Sequence, residues 1–132
     1  MTGLIRLLWH SARGSAAVQF ALALPVLVLF IIGIAQMGIL FAANAGMQQA
    51  LGEGARMATL FPRPIDSAIS ARIMQTRFSL KSEYLTSPTF THGTSGGVPY
   101  VDITLVYRPR LNFIFFTGPQ ITMTKTRRAF QN

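Results

Sequence analysis

The sequence predicts an α+β protein: a long apolar helix over about residues 15–59, then a short helix and a small antiparallel sheet of three or four strands. Three observations carry that expectation. Residues 15 to 52 hold no Asp, Glu, Lys or Arg. "FPRP" at 61–64 then breaks the chain and is followed by isoleucines at 65, 69 and 73. Further on, "YVDITLVY" alternates apolar and polar side chains with the period of a strand.

Composition sets the frame. Of 132 residues, 50% are hydrophobic and 12% charged, well under the usual quarter of charged residues, which argues against an ordinary soluble globule. Twelve Lys and Arg stand against four Asp and Glu, a formal +8, a balance that suits nucleic acid, anionic lipid or an acidic polymer without choosing among them. There is no cysteine, so disulfides, thiolate metal sites and cysteine nucleophiles are excluded. What folds outside a membrane must therefore hold by packing.

The first element follows from the apolar run. Phe20 to Phe41 is almost wholly Leu, Ile, Val, Phe and Ala, and about 20 such residues at 1.5 Å each cross a ~30 Å hydrocarbon core. Lipid leaves no partner for an open backbone, so the segment must be helical, with Pro25 accommodated near its start. Arg6 and Arg13 precede it without an acid, whereas Glu53 and Arg56 are the charged residues that first follow. The positive-inside bias then places the N-terminus in the cytoplasm and the C-terminal part outside. A cleaved secretory signal with a small-x-small site at Ala43-Asn44-Ala45 is the competing reading. Against it, signal h-regions run about 7 to 15 residues, shorter than this one.

Beyond Phe41 the chain keeps helix formers, and the helix is expected to reach about Thr59. From Ser15 that is about 68 Å, more than twice a bilayer core. Ala42, Gly46, Ala50, Gly54 and Ala58 fall at successive i, i+4 positions, a stripe of small residues that lets another element come close. That element can belong to another subunit or to the chain's own domain.

The remaining elements are shorter. After the two prolines, Asp66 or Ser67 is placed to cap a helix whose Ile65, Ile69 and Ile73 share a face, with Phe78 near its end. "EYLTSPTFT" reads as an edge strand broken by Pro88, and "HGTSGG" as a loop. In "YVDITLVY", Val101, Ile103, Leu105 and Tyr107 share one face, and "QITMTKTRRAF" alternates in the same way. "LNFIFFTGP" is either a further strand or a hydrophobic loop, expected to be buried or at a subunit contact.

A basic leader ending in Gly14, Ser15 next, a polar Gln19, then Phe20 and a long apolar helix resemble the type IV prepilin signal. Together with the Leu-Pro step at 24–25 and the later Gly54-Ala55-Arg56, the stretch from about 12 to 58 looks like the N-terminal segment of the TadE-like family. That family supplies minor pilins, or pseudopilins, of the tight-adherence (Tad or Flp, type IVc) pilus. The resemblance implies a pilin-like layout: a leader over 1–14, a transmembrane and assembly helix over 15–60, and a small extracytoplasmic domain over 61–132. It implies cleavage by a prepilin peptidase between Gly14 and Ser15, Arg13 and Arg6 holding the leader in the cytoplasm. It also implies partners among pilin and minor pilin subunits and an inner-membrane assembly platform, and location in the bacterial inner membrane or, after processing, in the pilus. Gln19 departs from the pattern, whose fifth mature position is usually Glu. Glutamine turns a charge-assisted bond to a neighbour's amine into a weaker neutral one, which suits a priming or tip position, or simple tolerance.

No enzyme, cofactor or metal is expected. "HGTSGG" lacks the lysine of a phosphate-binding loop, and nothing fixes His92 and Asp102 as parts of a triad. Arg108, Arg110, Lys125, Arg127 and Arg128 form the candidate basic surface. The inferred topology argues against nucleic acid as its primary partner, and adhesion or acidic pilus neighbours suit it better. Two further readings are a single-pass component of a secretion apparatus that never polymerises, and a secreted binding domain released after Ala45.

Overall fold

A computed structural model describes residues 12–113 and 116–131. The leader up to Ser11, with Arg6 and His10, and the pair Ile114 and Phe115 lie outside the described residues. Helix α1 spans Ala12–Ala58 and α2 spans Asp66–Thr76, followed by a 3-10 turn at Ser82–Tyr84. The strands are β1 Thr89–Ser95, β2 Val98–Tyr107, β3 Arg110–Phe113, β4 Phe116–Gln120 and β5 Met123–Phe130. The chain is α+β, as expected, and divides into two units, residues up to Gln36 and residues from Met37.

In its described residues the first unit is helix alone. Pro25 lies inside it and withholds one i→i−4 hydrogen bond without ending the helix.

The second unit holds the sheets. β1, β2 and β5 form a three-stranded antiparallel sheet in the order β1-β2-β5, while β3 and β4 make a separate two-stranded hairpin. The expected single sheet is thus two. Ser95 pairs with Val98 across a two-residue turn in which Gly96 and Gly97 have φ of 59° and 82°. Positive φ at both central positions is what a type I′ hairpin needs, and glycine adopts it without a Cβ clash. The expected loop "HGTSGG" is therefore strand as far as Ser95. The piece before it is interrupted as anticipated: Leu85 bridges to Tyr107 and Thr86 donates to the Val106 carbonyl at 3.0 Å. Past the buried Pro88, β1 resumes the pairing with β2.

The core forms where the inner face of β2 meets helices. Val101, Ile103, Leu105 and Tyr107 are buried there, with Ile69 and Ile73 of α2, Leu80, and Ala43, Met47, Ala50, Leu51, Ala55 and Ala58 of α1. Ile65, expected on the same face of α2, is 71% exposed. It precedes the first helical residue, at the N-cap.

The cap expectation also changes. Neither Asp66 nor Ser67 caps α2: Asp66 is already in the first turn, and no side chain bonds the helix end at Ile65. Its carboxylate instead faces Nε2 of His92 on β1 at 3.0 Å, tying the start of α2 to the sheet edge while lying at the positive end of the helix dipole.

Two glycines set the spacing. A Cβ on Gly54 would come within 2.6 Å of Ile73 Cγ1, and one on Gly46 would collide with the backbone carbonyl of Phe78. The segment after α2 reaches Gly46 through Ser79, whose φ of 56° is left-handed and costs a residue with a Cβ about 1–2 kcal/mol.

Gly46→Ala and Gly54→Ala are expected to destabilise the detergent-solubilised protein by about 1–3 kcal/mol, because overpacking outweighs the gain in helix propensity. Gly46→Ala should be the worse, since its obstacle is backbone. Gly38, with nothing within 4 Å of a built Cβ, is the control: thermal unfolding of Gly38→Ala should match or exceed wild type.

Candidate functional site

The first candidate surface is the N-terminal part of α1. From Val18 to Phe41 most of its large apolar side chains are exposed, Phe20 at 66% and Phe30 at 70%. Covering such side chains is worth roughly 1.5–3 kcal/mol each. Gly14–Ala58 is long and apolar enough to cross a membrane by length and composition. At its start, Gly14, Ser15, Gln19 and Phe20 are all helical and exposed. Arg13 lies in the first turn, its side chain outside the described residues.

The small-residue stripe has a different environment. Gly46, Ala50, Gly54 and Ala58 are buried and Ala42 partly so. Gly54 faces Ile73 and Ile69, and Gly46 faces Phe78 and Leu80, so the helix that this stripe admits is α2 of the same chain. A polar clamp beside it, not anticipated from sequence, joins Arg72 of α2 to the Glu53 carboxylate at 3.0 Å, with Arg56 at 3.6 Å.

Residues 14–56 match the family model for TadE-like proteins. The TadE-like segment begins at the Gly14-Ser15 step, takes in the exposed apolar stretch, and ends two residues before α1 does. It therefore contains both glycines against which α2 and the Phe78 segment pack. No curated protein and no solved structure matches the chain.

Outside the TadE-like segment, the five basic residues are not brought to one place. Register and alternation put Lys125 and Arg127 on the face of β5 shared with Ala129, and Arg128 on the other. Arg127 approaches α1, its Nη1 3.9 Å from a Cβ built on Gly52. Arg108 and Arg110 flank the corner where β2 ends and the hairpin begins.

Arg128 is the most engaged of the five. It binds both carboxylate oxygens of Asp102 at 2.7 Å and lies over the Tyr100 ring, 3.8 Å from its centroid. Phe130 meets the same ring edge-on. Tyr100 in turn covers Gly93 of β1, where a Cβ would fall 2.5 Å from the ring. The usable signal was cross-strand: Asp102 opposes Arg128, and Tyr100 opposes both Gly93 and Phe130. His92 and Asp102, considered together from sequence, have separate partners, Asp66 and Arg128.

The bidentate bond from Arg128 holds the Asp102 carboxyl below its ordinary range. A carboxyl whose folded pKa is lowered binds fewer protons than in the unfolded chain, so its contribution is complete above the unfolded value, about 4. It is lost as pH falls through the folded value. Thermal unfolding between pH 7 and pH 2 should show wild type above Asp102→Asn at neutral pH, the gap closing in the acid part of the range.

Proposed function

We propose that this protein is a minor pilin of the Tad type, anchored in the bacterial inner membrane by α1 with its C-terminal residues outside. In this reading a prepilin peptidase cuts it after Gly14, and it is incorporated into, or required for assembly of, the pilus. The observation that supports this best is the coincidence of the TadE-like match, starting at Gly14, with a helix most of whose large apolar side chains from Val18 to Phe41 are exposed. Lipid tails and neighbouring pilin helices are comparably apolar, so moving the helix from bilayer to filament exchanges one dispersion-rich surface for another. The Gly14-Ser15 bond lies in the first turn of α1. Helix ends fray readily, and fraying there gives a peptidase the extended backbone it requires. The protein is then a substrate of processing and performs no catalysis.

Gln19 bears on position in the filament. Without a carboxylate it does not need a charged amine beside it in a low dielectric, which suits a priming or tip subunit.

Intact mass and N-terminal sequencing decide the processing step. A mature chain starting at Ser15 is expected from cells with prepilin peptidase, and it should be absent both without the peptidase and in Gly14→Ala. A full-length product in every background would leave a non-polymerising anchor, and one starting at Gly46 an ordinary secreted protein. For the tip position, wild type labelled along sheared filaments should appear at ends and Gln19→Glu more widely. Labelling of both along the shaft would remove the tip assignment.

A further inference from the structure

The β3-β4 hairpin is separate from the three-stranded sheet. Phe113 and Phe116 oppose each other across it and stack with centroids 4.7 Å apart. Phe116 is 55% exposed. Gly118 backs the same face: a Cβ there would lie 3.0 Å from both Leu111 Cβ and Phe113 Cε2. Among the described residues, none of Leu111, Phe113 and Phe116 belongs to the buried cluster. The base of the hairpin is pinned, with Ile121 donating to the Pro109 carbonyl at 3.0 Å and the Gln120 amide to the Arg108 carbonyl at 3.2 Å. The chain has no Asp or Glu after Asp102.

We propose that this hairpin is an interfacial membrane contact, Phe113 and Phe116 entering the headgroup and acyl boundary of an anionic bilayer while Arg108 and Arg110 at its base meet lipid phosphates. Aromatic side chains favour that depth, and each cation near an anionic surface adds to the attraction. A two-stranded hairpin is marginal by itself in water, so a held base and an exposed aromatic face suit insertion without a large ordering cost. Charge complementarity selects lipid over another copy of this chain, which also presents excess positive charge. The inference rests on the membrane-anchored state of the proposed function, which supplies the bilayer.

The test uses the full chain reconstituted in vesicles containing phosphatidylglycerol. Trp9→Phe removes the sole indole of the chain, and Phe116→Trp then places a reporter on an exposed position. Flotation with the vesicles reads the anchor separately. The expected result is at least about a two-fold loss of emission with a shallow nitroxide lipid and less with a deep one. That quenching should weaken in Arg108→Gln/Arg110→Gln and in neutral vesicles. Flotation with an indole open to iodide and untouched by nitroxide lipids would overturn the hairpin contact and leave the anchor standing. Shielding from both quenchers that grows with protein density would overturn it in favour of a subunit contact. Failure to float would overturn the anchor and, with it, this inference. Phe113→Trp in the same background repeats the reading from the opposing strand, should Phe116→Trp disturb the stack.

Discussion

Everything in the second unit depends on how closely two segments approach α1. Gly46 lets the carbonyl of Phe78 rest on the helix, and Gly54 lets Ile69 and Ile73 do the same from α2. A three-stranded sheet has one face to bury and, in a chain without cysteine, nothing covalent to hold its cover in place. Small residues at the contact bring backbones together, and the dispersion gained there falls off steeply with separation. The clamp from Glu53 to Arg72 sits beside the same contact and fixes its register. With α2 held at that distance, Met47 and Leu51 are buried in one cluster with Val101, Ile103 and Leu105.

A single helix thus carries two different surfaces. Large apolar side chains up to Phe41 face outward, whereas Ala43 to Ala58 contribute small or well-packed side chains to the core. The family match crosses that change. What the TadE-like segment specifies is therefore an apolar surface and, in addition, a seat for whatever follows it. The 76 residues after it, 57–132, lie outside the match, and in them lie the paired Asp102 and Arg128, the aromatic cluster on the outer sheet face, and the hairpin.

The long helix was legible because an uninterrupted apolar run needs no tertiary context, and β2 because period-two burial is written directly in Val101, Ile103, Leu105 and Tyr107. β1 was only half legible. His92, Gly93 and Thr94 have little intrinsic strand preference, and they are extended because β2 pairs with them and Tyr100 covers the glycine. Asp66 carries a cap residue's side chain, but His92, distant in sequence, engages it first. The basic residues 125–128 read as one patch in one dimension, while a strand sends Arg127 and Arg128 to opposite faces. The small-residue stripe was visible from its spacing. That its neighbour is α2 depends on where "FPRP" turns the chain, which local preference does not encode.

The prolines at 62 and 64 mark an obvious covalent boundary, yet the physical boundary of the folded unit lies upstream. A soluble fragment that starts after "FPRP" would leave the inner face of β2 and the buried edge of α2 without Met47, Ala50, Leu51 and Ala55. Such a piece would aggregate. One that starts near Met37 keeps its own cover and leaves most of the exposed apolar helix behind, so the place to sever this protein for work in water is inside its helix.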